Sequence, residues 1–273
     1  MTDARPPIII AQPDLKDLMY AKSLLENPGL AARLANVIGA PIEKGFALLP
    51  ANWASVVQNA VRSALFRALD VAVTTIKPSS KKRSSEFFHK LMVGASGGVG
   101  GAFGLPALVL ELPISTTIML RSIAEIARTE GHDVNDIATK LHCLEVFALG
   151  GKTKTDDAAD STYWAVRAAL SRAVSEATAY FTEKGILEKS APAVARLVSA
   201  IASRFGMVVS EQVAAKAVPI VGAAGGSLVN VMFMDHFQSM ARGHFIVKRL
   251  ERQYGADAVR EAYESIAMPL GSE

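Results

Sequence analysis

Residues 53–76, WASVVQNAVRSALFRALDVAVTTI, decide the fold class. Trp53, Val56, Val57, Ala60, Val61, Ala64, Leu65, Ala68, Leu69, Ala72, Val73 and Ile76 recur in steps of three and four, which places all of them on one face of a helix. The opposite face carries Arg62, Arg67 and Asp70, as a side turned to water should. So long an apolar stripe must be covered by other elements. The rest of the chain offers helices for this, because no stretch alternates with period two for long enough to make a strand. The expected fold is all-α, a single helical domain over residues 14–273.

Upstream, residues 1–13 contain Pro6, Pro7 and Pro13 without periodicity and read as an irregular tail. Asp14 is positioned to cap a first helix whose one side carries Leu15, Leu18, Met19 and Leu25, and which the Asn27-Pro28-Gly29 breaker ends. A short helix then runs to about Gly39. Downstream of the long helix, KPSSKKRSSEFFHK (77–90) sets Lys77, Lys81, Lys82, Arg83 and Lys90 against the single acid Glu86, and reads as a basic loop.

Residues 91–120 hold one charged side chain, Glu111. They divide into a glycine-rich half and an aliphatic half interrupted by Pro106 and Pro113. Further helices are expected up to Gly131, over 134–149, over 162–184 and over 190–217. The run GGKTKTDDAADS (150–161) is the candidate mobile loop. A second uncharged stretch, AVPIVGAAGGSLVNVMFM (217–234), leads into a basic helix that Gly255 ends.

The two apolar stretches echo one another, Val93-Gly-Ala-Ser-Gly-Gly98 recurring as Val221-Gly-Ala-Ala-Gly-Gly226. Gly94 and Gly98, Gly97 and Gly101, Gly100 and Gly104, and Gly222 and Gly226 each stand four apart, which clears one helix face of side chains and lets another backbone approach. Such density disfavours an isolated helix by about 1 kcal/mol per glycine against alanine, so a compensating contact is required. Two readings fit: close packing of two apolar helical hairpins at the centre of a bundle, or a hairpin that lies shallowly in a membrane. The uncharged run from Leu91 to Leu110 is about long enough to cross a bilayer core, yet its glycines and proline suit a shallow hairpin better. The basic loop just before it would meet anionic lipid.

Composition excludes some function classes. Twenty-nine basic and 26 acidic residues give a net charge of +3, too balanced for a nucleic-acid binder. The single cysteine, Cys143, cannot form an intramolecular disulfide, and Ile8–Ile10 is too short for a secretory signal, so a cytoplasmic setting is expected. Several motifs fail on context. Gly94, Gly98 and Gly100 with Tyr180 and Lys184 imitate a dehydrogenase pattern, but no βα units surround them. Gly150-Gly151-Lys152-Thr153 lacks the first glycine of a phosphate loop. His142, Cys143 and Glu145 cannot all share one helical face, and Glu86 with His89 supplies only one ligand pair, so neither a metal nor another cofactor is expected. The best cluster for chemistry is Glu111, Arg121, Glu125, Asp235, His236 and His244. Glu111 beside the Asp235-His236 pair would set an acid next to a histidine, the minimum for proton transfer. The competing reading sets Glu111 at a helix start before Pro113, where an acid favours the dipole, and makes the others structural ion pairs.

The succession GASGGVGGAFGLPALVLELP, LRSIAEIAR, LEVFALGG and VPIVGAAGGSLVNVMFMDHFQSMARGHFIVKRLERQYG, spread over residues 45–263, resembles the EcsC family, named for a protein encoded beside an Ecs-type ABC transporter. The resemblance implies a bacterial helical domain without an established activity, linked to membrane transport or the cell envelope, and it transfers no catalytic residue. The resulting expectation is a non-catalytic accessory or interaction protein on the inner face of the cytoplasmic membrane, with an anionic membrane surface and a transport-system protein as partners. The alternative is a soluble helical enzyme, hydrolytic in type, that uses Glu111 with Asp235 and His236.

Overall fold

In a computed structural model that describes residues 10–26, 30–75, 105–151, 161–185, 188–218 and 222–267, every regular element is a helix. In chain order these are α1 (Gln12–Leu25), α2 (Leu30–Ile38), α3 (Ile42–Ala47), α4 (Trp53–Thr75), α5 (Leu105–Thr129), α6 (Ile137–Leu149), α7 (Thr162–Lys184), α8 (Pro192–Ala217), α9 (Gly222–Tyr254) and α10 (Ala256–Ser265). The stripe that decided the fold class is the buried face of α4. Val57, Ala60, Val61, Ala64, Leu65, Ala68, Leu69 and Ala72 are shut away from water against α5 and α8.

The 33-residue α9 is the axis of the molecule, and α1, α2, α5, α6, α8 and α10 all pack on it. Three links set the direction of α5 beside it. Asn230 Nδ2 donates to Glu111 Oε1 at 2.7 Å, Gln238 Nε2 donates to Ser122 Oγ at 2.8 Å, and His132 Nε2 lies 3.0 Å from the carbonyl of Phe245. Residue numbers rise together along both helices, so α5 and α9 run parallel and begin at the same end of the bundle. By contrast, Gln212 meets Asn230 while Phe205 meets Phe233 and Phe237, which makes α8 and α9 an antiparallel pair. Phe147 of α6 joins these rings at 5.0 Å from Phe205 and 5.4 Å from Phe237. Tilted and edge-on aromatic pairs of this kind contribute about 0.5–1.5 kcal/mol each beyond their burial.

Several boundaries differ from expectation for local reasons. α1 starts at Gln12 with Pro13 in its first turn, a place where a missing N–H costs nothing. Asp14 therefore lies inside the first turn and does not cap it. Its carboxylate instead accepts from the Tyr254 hydroxyl at 2.6 Å and from Gln253 at 3.1 Å, tying the helix to the end of α9. Pro113 does not interrupt the aliphatic stretch but sits inside α5, where it removes one backbone hydrogen bond. α6 begins three residues later than expected, where the Asp136 side chain caps it by accepting from the Thr139 N–H. Gly131 and Gly255 end their helices with φ of 77° and 86°, as read from the sequence.

The second glycine-rich stretch is the opening of α9, and the reversal of direction precedes its glycines. The glycines from Gly94 to Gly104, the basic loop 77–90 and residues 152–160 of the proposed mobile loop lie outside the described residues. The close backbone approaches that are described occur at other glycines. A Cβ on Gly45 of α3 would fall 2.0 Å from the Ala214 carbonyl oxygen of α8, and one on Gly243 of α9 would fall 2.6 Å from Leu25 Cγ of α1.

Candidate functional site

Two regions carry features that packing alone does not require. The first is the end of the bundle at which α5 and α9 begin. Val109, Leu110 and Ile114 on α5 are 46%, 74% and 55% exposed, and Leu228 near the start of α9 is 46% exposed. Aliphatic side chains of this size scattered singly mean little, but three within two turns form a patch. They border a cleft of about 550 Å³ shared with Phe66, Arg67 and Asp70 of α4 and with Lys189, whose ammonium stands 5.8 Å from the Phe66 ring centre. An apolar surface is thus edged by two cations, Arg67 and Lys189, and one acid, Asp70. α8 is long and apolar enough to cross a bilayer, but half of its most apolar window is buried inside the fold, where Phe205 and its neighbours bind it to α6 and α9.

The second region is a polar cleft of about 540 Å³ among α6, α7 and α9. On α6, His142 and Glu145 stand one turn apart and on one face, with Nδ1 and Oε2 separated by 2.8 Å. His244 of α9 faces them, its Nε2 3.7 Å from the same Oε2 and its Nδ1 3.1 Å from the Tyr163 hydroxyl. Arg167 reaches that hydroxyl at 3.3 Å and forms a two-bond fork to Glu251, at 2.7 and 3.0 Å. Its guanidinium also lies 4.8 Å from the centre of the Trp164 ring. Lys248, at the cleft wall, completes the charged set.

Burial governs the ionisation of this group. Desolvation would push the enclosed Glu145 carboxyl up. The hydrogen bond and charge of His142, with Lys248 and Arg167 behind them, outweigh it and hold the carboxyl below its ordinary range. Desolvation and the surrounding cations push His244 well below its usual value, so it is neutral. Its Nε2 is completely buried and makes no hydrogen bond.

The residues singled out from the sequence are dispersed. Glu111 finds the partner that a carboxylate in an apolar stretch needs: Lys216 Nζ at 3.1 Å and Asn230, which also accepts from Gln212. Asp235 pairs with Arg33 of α2 at 2.8 Å. His236 is buried against Gly150, where any Cβ would come within 2.1 Å of its Nε2. Asn230, which holds Glu111, and His236 are six positions apart on α9 and so leave it about 120° apart. The structure therefore gives Glu111, Asp235 and His236 separate partners. Arg121 is exposed and Glu125 half-buried on α5. Of that cluster only His244 comes near the polar cleft, fully buried behind the Glu145 that lines it. Its neighbours His142 and Glu145 share a face, as i,i+3 spacing allows, while Cys143 points into the core. Lys77, Lys81, Lys82, Arg83 and Lys90 are outside the described residues.

The sequence model of the EcsC protein family matches residues 14–250. No curated protein and no solved structure is similar enough to match. The match takes in all but the two ends of the chain, including every helix that builds the two regions apart from the last turn of α9, and the chain belongs to the EcsC protein family.

Proposed function

We propose that this protein is an accessory or interaction protein that sits peripherally on the inner face of the cytoplasmic membrane and serves a transport or envelope process. The observation that carries the reading is the exposed trio Val109, Leu110 and Ile114, edged by Arg67 and Lys189. Burying such side chains in the interfacial region of a bilayer is favourable by about 25 cal/mol per Å² of apolar surface. Lysine and arginine near the surface add about 1 kcal/mol each where the lipid is anionic. The patch directly follows, in sequence, the uncharged glycine-rich stretch and the five cations of residues 77–90, so apolar and basic character are joined in one part of the chain. The parallel start of α9, with Leu228, adds to the same end.

The glycine-rich stretch before α5 is the part that this reading assigns to shallow insertion, and a transport-system protein is the partner it implies. Vesicle flotation tests the reading. The protein should float with vesicles that contain anionic phospholipid, float less with purely zwitterionic ones, and be released in part by salt. Replacing Lys81, Lys82 and Arg83 with Ser should weaken flotation. A chain that stays at the bottom of the gradient with every lipid would overturn the proposal.

A further inference from the structure

The polar cleft, which shares no lining residue with the apolar patch, supports a site of its own. We propose that His142, Glu145 and His244 bind one divalent transition-metal ion of the Zn²⁺ type, leaving a coordination position open to the cleft for an anionic oxygen ligand.

Three features converge on this. The donor set of two imidazoles and one carboxylate is the nitrogen and oxygen combination that zinc-type ions favour. The three candidate ligand atoms all lie within 4.8 Å of one another. Two ligands held about 2.1 Å from one tetrahedral ion stand about 3.4 Å apart. The 3.7 Å between His244 Nε2 and Glu145 Oε2 is already close to that separation, and the 2.8 Å between His142 Nδ1 and Glu145 Oε2 opens by a small rotation of the His142 ring. His142 is the outermost of the three, 23% exposed at the cleft wall, so the cleft offers its ring room for that rotation.

The second feature is the unsatisfied nitrogen. His244 Nε2 is one of six buried side-chain atoms without a hydrogen-bond partner among the described residues, and it stands 3.7 Å from the Glu145 carboxylate, beyond hydrogen-bonding distance. An ion between them uses this lone pair.

The third feature is the support behind the ligands. Tyr163 holds His244 through Nδ1, and Arg167 with Glu251 holds Tyr163. Outer contacts of this kind fix a ligating histidine's tautomer and orientation.

The open position follows from the count of ligands. Three protein donors leave one tetrahedral position free, and beside them opens the cleft lined by Lys248, Ser171, Ser175 and Thr178. A dication added to Arg167 and Lys248 against Glu145 and Glu251 leaves local positive charge. An anionic oxygen, from hydroxide, carboxylate or phosphate, neutralises it.

The test uses the full chain stripped of metal. Zn²⁺ competition against a chromophoric chelator should give one tight site per chain. His142→Ala should weaken it by roughly 100-fold or more, and Tyr163→Phe by roughly 10-fold. Should either variant lose its fold by circular dichroism, Co²⁺ added to the natural chain decides. Visible bands of tetrahedral or five-coordinate Co²⁺ without a thiolate charge-transfer band are expected, and inorganic phosphate should shift them less in Lys248→Met. Absence of saturable binding, binding left intact in a folded His142→Ala chain, or a thiolate band that implicates Cys143 overturns the metal site. A spectrum indifferent to phosphate overturns the open position.

Discussion

Gly243 of α9 and Leu25 of α1 touch with no space for a side chain between them: a Cβ at 243 would lie 2.6 Å from Leu25 Cγ and 3.0 Å from the Ala21 carbonyl oxygen. Alanine would improve helix propensity at 243 by about 1 kcal/mol, but it must push α1 outward. Gly243→Ala should therefore destabilise by about 1–3 kcal/mol. Gly45→Ala should cost more, because the obstacle there is the Ala214 carbonyl, which has no rotamer to yield. Urea denaturation of both variants measures the difference. Equal or increased stability in both would refute the close contacts.

The Arg167 and Glu251 pair is mostly buried, with side chains 15% and 10% exposed. Removing one partner strands a charge, so Arg167→Ala or Glu251→Ala should each destabilise by about 3–5 kcal/mol. The double replacement Arg167→Ala with Glu251→Ala should cost clearly less than the sum of the two single losses, because neither charge is then left unpaired. A double-mutant cycle from thermal melts reads the coupling, and simple additivity of the two losses would contradict it.

Acid should destabilise this protein. Burial pushes His236 from 6.5 to about 4, with Arg33 adding to the effect, and burial likewise pushes His132 to about 4. The unfolded chain takes up these protons as pH falls through 6.5 and the folded chain does not until about 4. The stability these histidines contribute is thus complete above 6.5 and is lost as pH drops toward 4, by up to about 3 kcal/mol apiece. Glu211 acts in the opposite sense: burial raises its carboxyl to about 7, against a smaller lowering by the Ala31 backbone, so its share of stability falls as pH rises from 4.5 to 7. Glu211→Gln should raise stability at pH 7 and steepen the acid loss. Melting temperatures across pH 4–8 check both signs.

Most of the fold was legible because it rests on local rules. The α4 stripe, the helix ends at Gly131 and Gly255 and the absence of strands among the described residues follow from periodicity and backbone freedom, which neighbours in sequence determine. The parts missed depend on elements that meet only in three dimensions. Gly243 stands alone among ordinary residues, and nothing near it signals that α1 will lie across it. Glu111 looked like a residue in search of a partner, which was right, but Lys216 and Asn230 come from α8 and α9. His142 and Glu145 have ligand spacing that could have been found, since i,i+3 residues share a helix face. Setting them aside together with Cys143 hid the pair, and only the packing of α9 brings His244 to it.

The claim on which the functional account depends is that the end of the bundle around Leu110 seats on anionic lipid. Its most direct test is flotation of Leu110→Asp with Ile114→Asp beside the natural chain, using vesicles of matched anionic content. Both side chains already face water, at 74% and 55% exposure, so the variant should keep its fold, with a melting temperature close to that of the natural protein. The account predicts that the natural chain floats and that the doubly substituted one stays at the bottom of the gradient. Equal flotation of the two folded proteins would contradict it.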